Sequence, residues 1–141
     1  MEFAQSLVDV LGEKGGIIVY SNFEEQTVRR LAKLFPHLTA ALNSLIERMV
    51  DIEFIIKKNF YPPDFHGKTS IKTVLPSLIP EMSYDDFPIS DGESAMAYFA
   101  YLAQDKYDDE QAETVRRNLL DYCCHDTLAM VKLHARLAEF T

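Results

Sequence analysis

Apolar positions recur at a helical period along most of the chain, and in two places they run together without alternation. In residues 2–12, Phe3, Leu7, Val10 and Leu11 predict the inward face of a helix that stops at Gly12. Gly15 and Gly16 then lead into Ile17-Ile18-Val19-Tyr20, a β-branched run that predicts a strand buried on both faces of a parallel sheet. Ser21 or Asn22 is placed to cap the next helix, and Asn22 with Glu25 has the spacing of a capping box. That helix carries Val28, Leu31, Ala32 and Phe35 inward and must end at Pro36.

A further helix is predicted over Thr39 to Met49, with Leu42, Leu45, Ile46 and Met49 inward, and Val50-Asp51-Ile52 reads as a second short strand. Residues 57–69 read as a loop rich in aromatics and proline. Ser70 is placed to cap a short helix bearing Ile71, Val74, Leu75 and Leu78 and closed by Pro80. Residues 92–104 and 110–139 are helical in pattern, the second long enough to bend or split. The order predicts a single α/β unit, rich in helix with two or so short strands. Sheets usually hold about five or six strands, so strands are expected to be missing ahead of this stretch.

Composition narrows the class without naming a function. The 141 residues are 48% apolar and 26% charged, the balance of a soluble globular domain and not of a disordered or fibrous chain. No apolar run approaches the roughly 18 residues that cross a bilayer, so no membrane partner is expected. No secretory leader pattern opens the sequence. Cys123 and Cys124 are adjacent, a spacing poorly suited to a relaxed disulfide, which favours a reduced, cytoplasmic setting.

The net charge of −8 argues against a protein that simply coats nucleic acid. The distribution changes that picture. From Lys57 to Leu75 there are four lysines and one acid, a window of +3, whereas Glu81 to Glu113 holds ten acids and one base, a window of −9. In the basic window Lys57, Lys58, Tyr61, Phe65, Lys68 and Lys72 interleave cations with aromatics. Such surfaces hold single strands through phosphate contacts and base stacking. A packed, proline-rich hinge is the alternative.

Tyr122 and Asp126 stand four residues apart in a helical stretch, so a phenol and a carboxylate share one face. The carboxylate can hold a hard divalent cation, and the phenol can orient a water. A packed tyrosine beside a capping aspartate is the alternative. Glu24 follows the first predicted strand, at the end where ligands of open α/β sheets gather; there a helix-dipole acid is the alternative. Cys123, Cys124 and His125 point about 100° apart on a helix and cannot converge on one metal.

Taken in order, Phe23-Glu24 after the first strand, Val50-Asp51, Ser70-Ile71-Lys72-Thr73-Val74-Leu75-Pro76 and Tyr122-Cys-Cys-His-Asp126 resemble the C-terminal two-thirds of a DnaQ-like 3′–5′ exonuclease domain. That superfamily has the ribonuclease-H-like fold. More narrowly, the set resembles a bacterial domain family of uncharacterised function, with Tyr61-Pro62-Pro63-Asp64-Phe65-His66-Gly67 and Asp91-Gly92 fitting it as well.

The resemblance implies hydrolysis at a nucleic-acid 3′ end with Mg²⁺ or Mn²⁺. It makes Glu24 and Asp126 metal ligands, Tyr122 the water-orienting group and Asp51 a supporting acid. The superfamily's first acidic motif, Asp-x-Glu on an opening strand, does not occur among these residues, and its second acid is usually Asp where this chain has Glu24. The chain therefore reads as part of a nuclease domain, expected to turn over slowly or not at all by itself. Its expected partners are the rest of its own polypeptide and, through exposed apolar surface, further copies. The rival expectation is a degenerate nuclease fold kept as an interaction scaffold.

Overall fold

Helix α1 (Glu2–Leu11) turns Ala4, Leu7, Val8 and Leu11 inward, the i, i+3, i+4, i+7 stripe of a surface helix. Phe3 and Val10, expected on that face, lie about a quarter-turn away and are exposed. The small Ala4 wins the buried position because it allows close approach of the neighbouring helices. The computed structural model describes residues 2–60, 62–85 and 87–140. It divides into two compact units, residues 1–71 and 72–141.

In the first unit, β1 (Ile17–Val19) and β2 (Met49–Asp51) pair in parallel, with Ile17 opposite Met49, Ile18 opposite Val50 and Val19 opposite Asp51. Both strands are three residues long. The expectation of a strand buried on both faces is corrected: Val19 is buried, but Ile18 and Val50 are 36% and 41% exposed.

Helices α2 (Phe23–Leu34) and α3 (Thr39–Glu47) join through a 3₁₀ turn at Pro36–Leu38. Val28, Ala32, Leu38, Leu42 and Leu45 form the core with Ala4. Leu42 and Leu45 are essentially sealed from solvent, each burial worth about 1.5–3 kcal/mol.

Helix α3 stops two residues earlier than its apolar period suggests. Arg48 takes its C-cap and Met49 enters β2. The expected Asn22–Glu25 capping box is absent: Asn22 makes no side-chain cap bond, and Glu25 instead holds Arg29 at 2.8 Å. Ile52 is the first residue of α4 (Ile52–Asn59) and not a strand residue, because the Asp51 side chain caps that helix by accepting from the Phe54 N–H. A 3₁₀ turn at Pro63–Phe65 ends with His66 in the left-handed region. Tyr61 lies outside the described residues.

Helix α5 (Ile71–Leu78) opens directly after Ser70 and ends ahead of Pro80, as the sequence predicts. It buries Val74, Leu75 and Leu78. In the second unit, α6 (Gly92–Ala103) is capped by Asp91, whose side chain accepts from the Ser94 N–H. Helix α7 (Asp109–Ala138) runs 30 residues without a break. Its start is fixed by a reciprocal capping box between Asp108 and Gln111. The structure is thus helix-rich α/β with one short parallel pair. No helix among the described residues is long and apolar enough to cross a membrane.

Candidate functional site

Asp126 and Tyr122 sit one turn apart on α7, on the face that also buries Val115, Ala129 and Leu133. Asp126 accepts a 2.6 Å hydrogen bond at Oδ1 from the hydroxyl of Tyr84, and the same carboxylate lies near enough to Tyr122 to raise its phenol. Two phenols thus converge on one acid. Burial is the first cause that drives both phenols above their ordinary range, with Asp126 adding to it; Tyr122 is pushed up to about 12. The Tyr84 ring is buried and meets the His125 ring edge-on at 4.8 Å, while Phe87 flanks His125 at 4.4 Å. His125 Nε2 is buried without a hydrogen-bond partner among the described residues.

Asp91, the cap of α6, also raises the Tyr122 phenol. A side-chain carbon on the neighbouring Gly92 would stand 3.9 Å from the Tyr122 hydroxyl, so this phenol lies against the start of α6. Asp91 itself is held below the usual carboxylate range, first by the Ser94 N–H and then by the Ser94 hydroxyl.

These phenols make an alkaline prediction. Their folded pKa values lie above the unfolded value of about 10, so the stability they contribute is complete below about pH 10 and fades as pH rises through the folded values. Chemical-denaturation midpoints followed by circular dichroism, with tyrosinate absorbance in parallel, should fall above about pH 10. Tyr84→Phe should flatten that fall.

The second cluster lies at the C-terminal end of the parallel strands in the first unit. Asp51 Oδ1 accepts from the Ser21 N–H at 2.9 Å and the Phe54 N–H at 3.3 Å, so one carboxylate ties the end of β1 to the start of α4. Ser21 is held at φ +68°, a conformation that costs a non-glycine residue about 1–3 kcal/mol and concentrates at functional sites. Tyr20 donates to the Thr69 carbonyl at 2.5 Å, and the Thr69 hydroxyl donates to Glu53 at 2.8 Å. Glu53 in turn holds Lys57 at 2.9 Å. Burial, with Glu53 and Asp51 behind it, pushes the Tyr20 phenol well up.

Glu24 is an exposed first-turn residue of α2. Lys57 and Lys58 extend from α4, the first paired with Glu53 and the second with its ammonium 4.5 Å from the Phe54 ring centroid. Lys68 and Lys72 are exposed. Phe65 is different: it is fully buried and meets Phe60 edge-on, so its ring is part of the loop's packing and faces no base. Proline-rich loops need such an anchor, and the sequence pattern does not separate anchor from platform.

Sequence reasoning missed Tyr84 and Glu53. Tyr84 stands in an irregular stretch with no period to mark it, and Glu53 falls between the strand expected over 50–52 and the loop expected from 57. Cys123 and Cys124 are both exposed free thiols. Burial and Asp126 raise the Cys123 thiol, the opposite of an activated nucleophile.

The carboxylates of Asp126 and Glu24 are hard oxygen donors of the kind Mg²⁺ and Mn²⁺ take. An aspartate has about four lone-pair sites, so the Tyr84 hydrogen bond leaves Asp126 acceptor capacity. Each carboxylate by itself suits such a cation in kind, but among the described residues no group of three or more His, Cys, Asp and Glu could hold a metal ion.

Comparison with known proteins adds one finding. Residues 1–70 of the 141 are similar to a domain family of unknown function, DUF2779. No curated protein and no solved structure matches the chain.

Proposed function

We propose that this chain forms part of a metal-dependent 3′–5′ exonuclease domain of ribonuclease-H-like fold, hydrolysing phosphodiesters at the 3′ end of a nucleic acid. The observation that carries the reading is the Tyr122–Asp126 pair, a phenol and a carboxylate one turn apart on one face of α7, following the other motifs in the order of the DnaQ-like superfamily. A two-strand parallel pair whose first strand leads into a helix with an acid in its first turn also suits that fold.

In this reading Asp126 and Glu24 are metal ligands. Tyr122 orients the attacking water, and Asp51 fixes the strand end through its two backbone bonds. Mg²⁺ or Mn²⁺, when bound, supplies water activation and charge stabilisation at the leaving oxygen. Among the described residues no group of three or more His, Cys, Asp and Glu could hold a metal ion, so the 141-residue chain alone should be slow or inactive.

The test is hydrolysis of a 5′-labelled oligonucleotide by the native full-length polypeptide, with and without Mg²⁺ or Mn²⁺. A metal-dependent ladder shortening from the 3′ end is expected, and Glu24→Gln or Asp126→Asn should abolish it. Activity retained in either variant would overturn the assignment.

A second reading, a degenerate nuclease fold serving as an interaction scaffold, draws on a specific observation: the Asp126 and Asp51 carboxylates already accept protein hydrogen bonds. It expects no metal-dependent hydrolysis from the full-length polypeptide.

A further inference from the structure

The C-terminal edge of the β1–β2 pair presents two phenylalanines to solvent, Phe23 at 61% and Phe54 at 54% exposure. Single exposed apolar residues are ordinary on a protein surface. These two are set apart by their placement. Phe23 opens α2 two residues after Ser21, and Phe54 lies in the first turn of α4 three residues after Asp51.

The 2.9 Å bond from the Ser21 N–H to Asp51 joins those two turns. The same carboxylate oxygen accepts the Phe54 N–H, and the Ser21 hydroxyl accepts the Phe23 N–H at 3.4 Å. Both aromatic positions are thus fastened to one junction, which holds Ser21 at a positive φ. Ligands of open α/β sheets bind beyond this edge of the strands.

The cations that follow Phe54 point to the occupant. Lys57, ion-paired with Glu53 at 2.9 Å, and Lys58 follow Phe54 on α4, with the Lys58 ammonium 4.5 Å from the Phe54 ring centroid, and Lys68 is exposed in the same +3 window. Aromatic faces beside lysines are the surface chemistry that holds single-stranded nucleic acid, bases on the rings and phosphates on the cations. We propose that Phe23 and Phe54 form a base-stacking platform for single-stranded nucleic acid at the C-terminal edge of the parallel strands, with Lys57 and Lys58 holding its phosphates. The platform rests on the nucleic-acid reading above and adds to it the groups that touch the bases; it replaces Phe65, whose ring is buried.

The chain has no tryptophan, so Phe54→Trp installs a unique fluorophore at the platform. In the 141-residue chain with chelator present, a labelled oligodeoxythymidine should quench that emission, whereas Phe3→Trp on α1 should stay bright. By fluorescence anisotropy, Phe54→Ala and Phe23→Ala should each weaken binding about 5- to 150-fold, the equivalent of one stacked base. Phe54→Tyr should bind as the parent does. Lys57→Gln with Lys58→Gln should lower the salt dependence.

Absence of binding by the parent, affinity indifferent to both alanine variants, or equal quenching at position 3 would overturn the platform. The outcomes separate from those of the nuclease test. Binding in chelator without metal-dependent hydrolysis by the full-length polypeptide removes the exonuclease and leaves the platform. Hydrolysis together with unaltered binding by the alanine variants removes the platform alone.

Discussion

Replacing Arg48 by alanine is expected to destabilise the first unit by about 2–3 kcal/mol, the scale of hydrogen bonds to a charged group. The Arg48 guanidinium donates through Nη1 to the carbonyls of Lys14 and Gly15 at 2.8 and 2.9 Å, and through Nη2 to those of Gly12 and Leu11 at 2.6 and 3.3 Å. It therefore gathers the last carbonyls of α1 and the turn that launches β1, while its own carbonyl accepts the Ile17 N–H at 2.9 Å. Gly12 and Gly15 sit at φ +56° and +89°, conformations that expose their carbonyls to one donor and that other residues adopt only with strain.

Arg48→Lys should recover little of the loss, because a single ammonium cannot replace a planar fork serving four acceptors. Urea unfolding monitored by circular dichroism checks both variants. A change under about 0.5 kcal/mol for Arg48→Ala, the range of ordinary surface substitutions, would show that the network is incidental.

The second expected result separates the two phenols on Asp126. On the proposed exonuclease reading, Tyr122→Phe in the full-length polypeptide should slow metal-dependent hydrolysis by about 10²–10⁴-fold, the usual contribution of a positioned proton-handling group, with little loss of stability. Tyr84→Phe should do the reverse. It removes a buried hydroxyl bonded to a carboxylate at 2.6 Å and should destabilise the second unit by about 1.5–3 kcal/mol, with a much smaller effect on rate.

The reason lies in placement. Tyr84 is packed against His125, whereas Tyr122 is half-exposed beside the start of α6. Equal effects of the two substitutions on rate would mean that neither phenol alone orients water. No effect of either on rate would favour the scaffold.

Local pattern carried most of the elements. Val28 and Ala32 face inward on α2, Leu42 and Leu45 on α3, and Val74, Leu75 and Leu78 on α5, because a helical period needs only a dozen neighbouring residues to declare itself. The pairing of Tyr122 with Asp126 was legible for the same reason: one turn of helix brings them together whatever surrounds it.

The misplacements have a common cause. Phe3 and Val10 lost the buried face of α1 to Ala4 and Val8, and Glu25 left the expected capping box for Arg29. In both cases two local arrangements were close in energy, and a neighbour decided between them.

The sequence by itself determined the helix-rich α/β character, the parallel pair, the helical stretches and the phenol–carboxylate face of α7. Only the tertiary structure decided that Tyr84 closes on Asp126 across 42 residues and that Arg48 reaches back to the turn after α1. It likewise buried Phe65 and left Phe54 in solvent. Periodicity reports contacts within one element, where geometry is fixed by the backbone. Contacts between distant segments depend on how packed surfaces close around each polar group, and no local spacing encodes that.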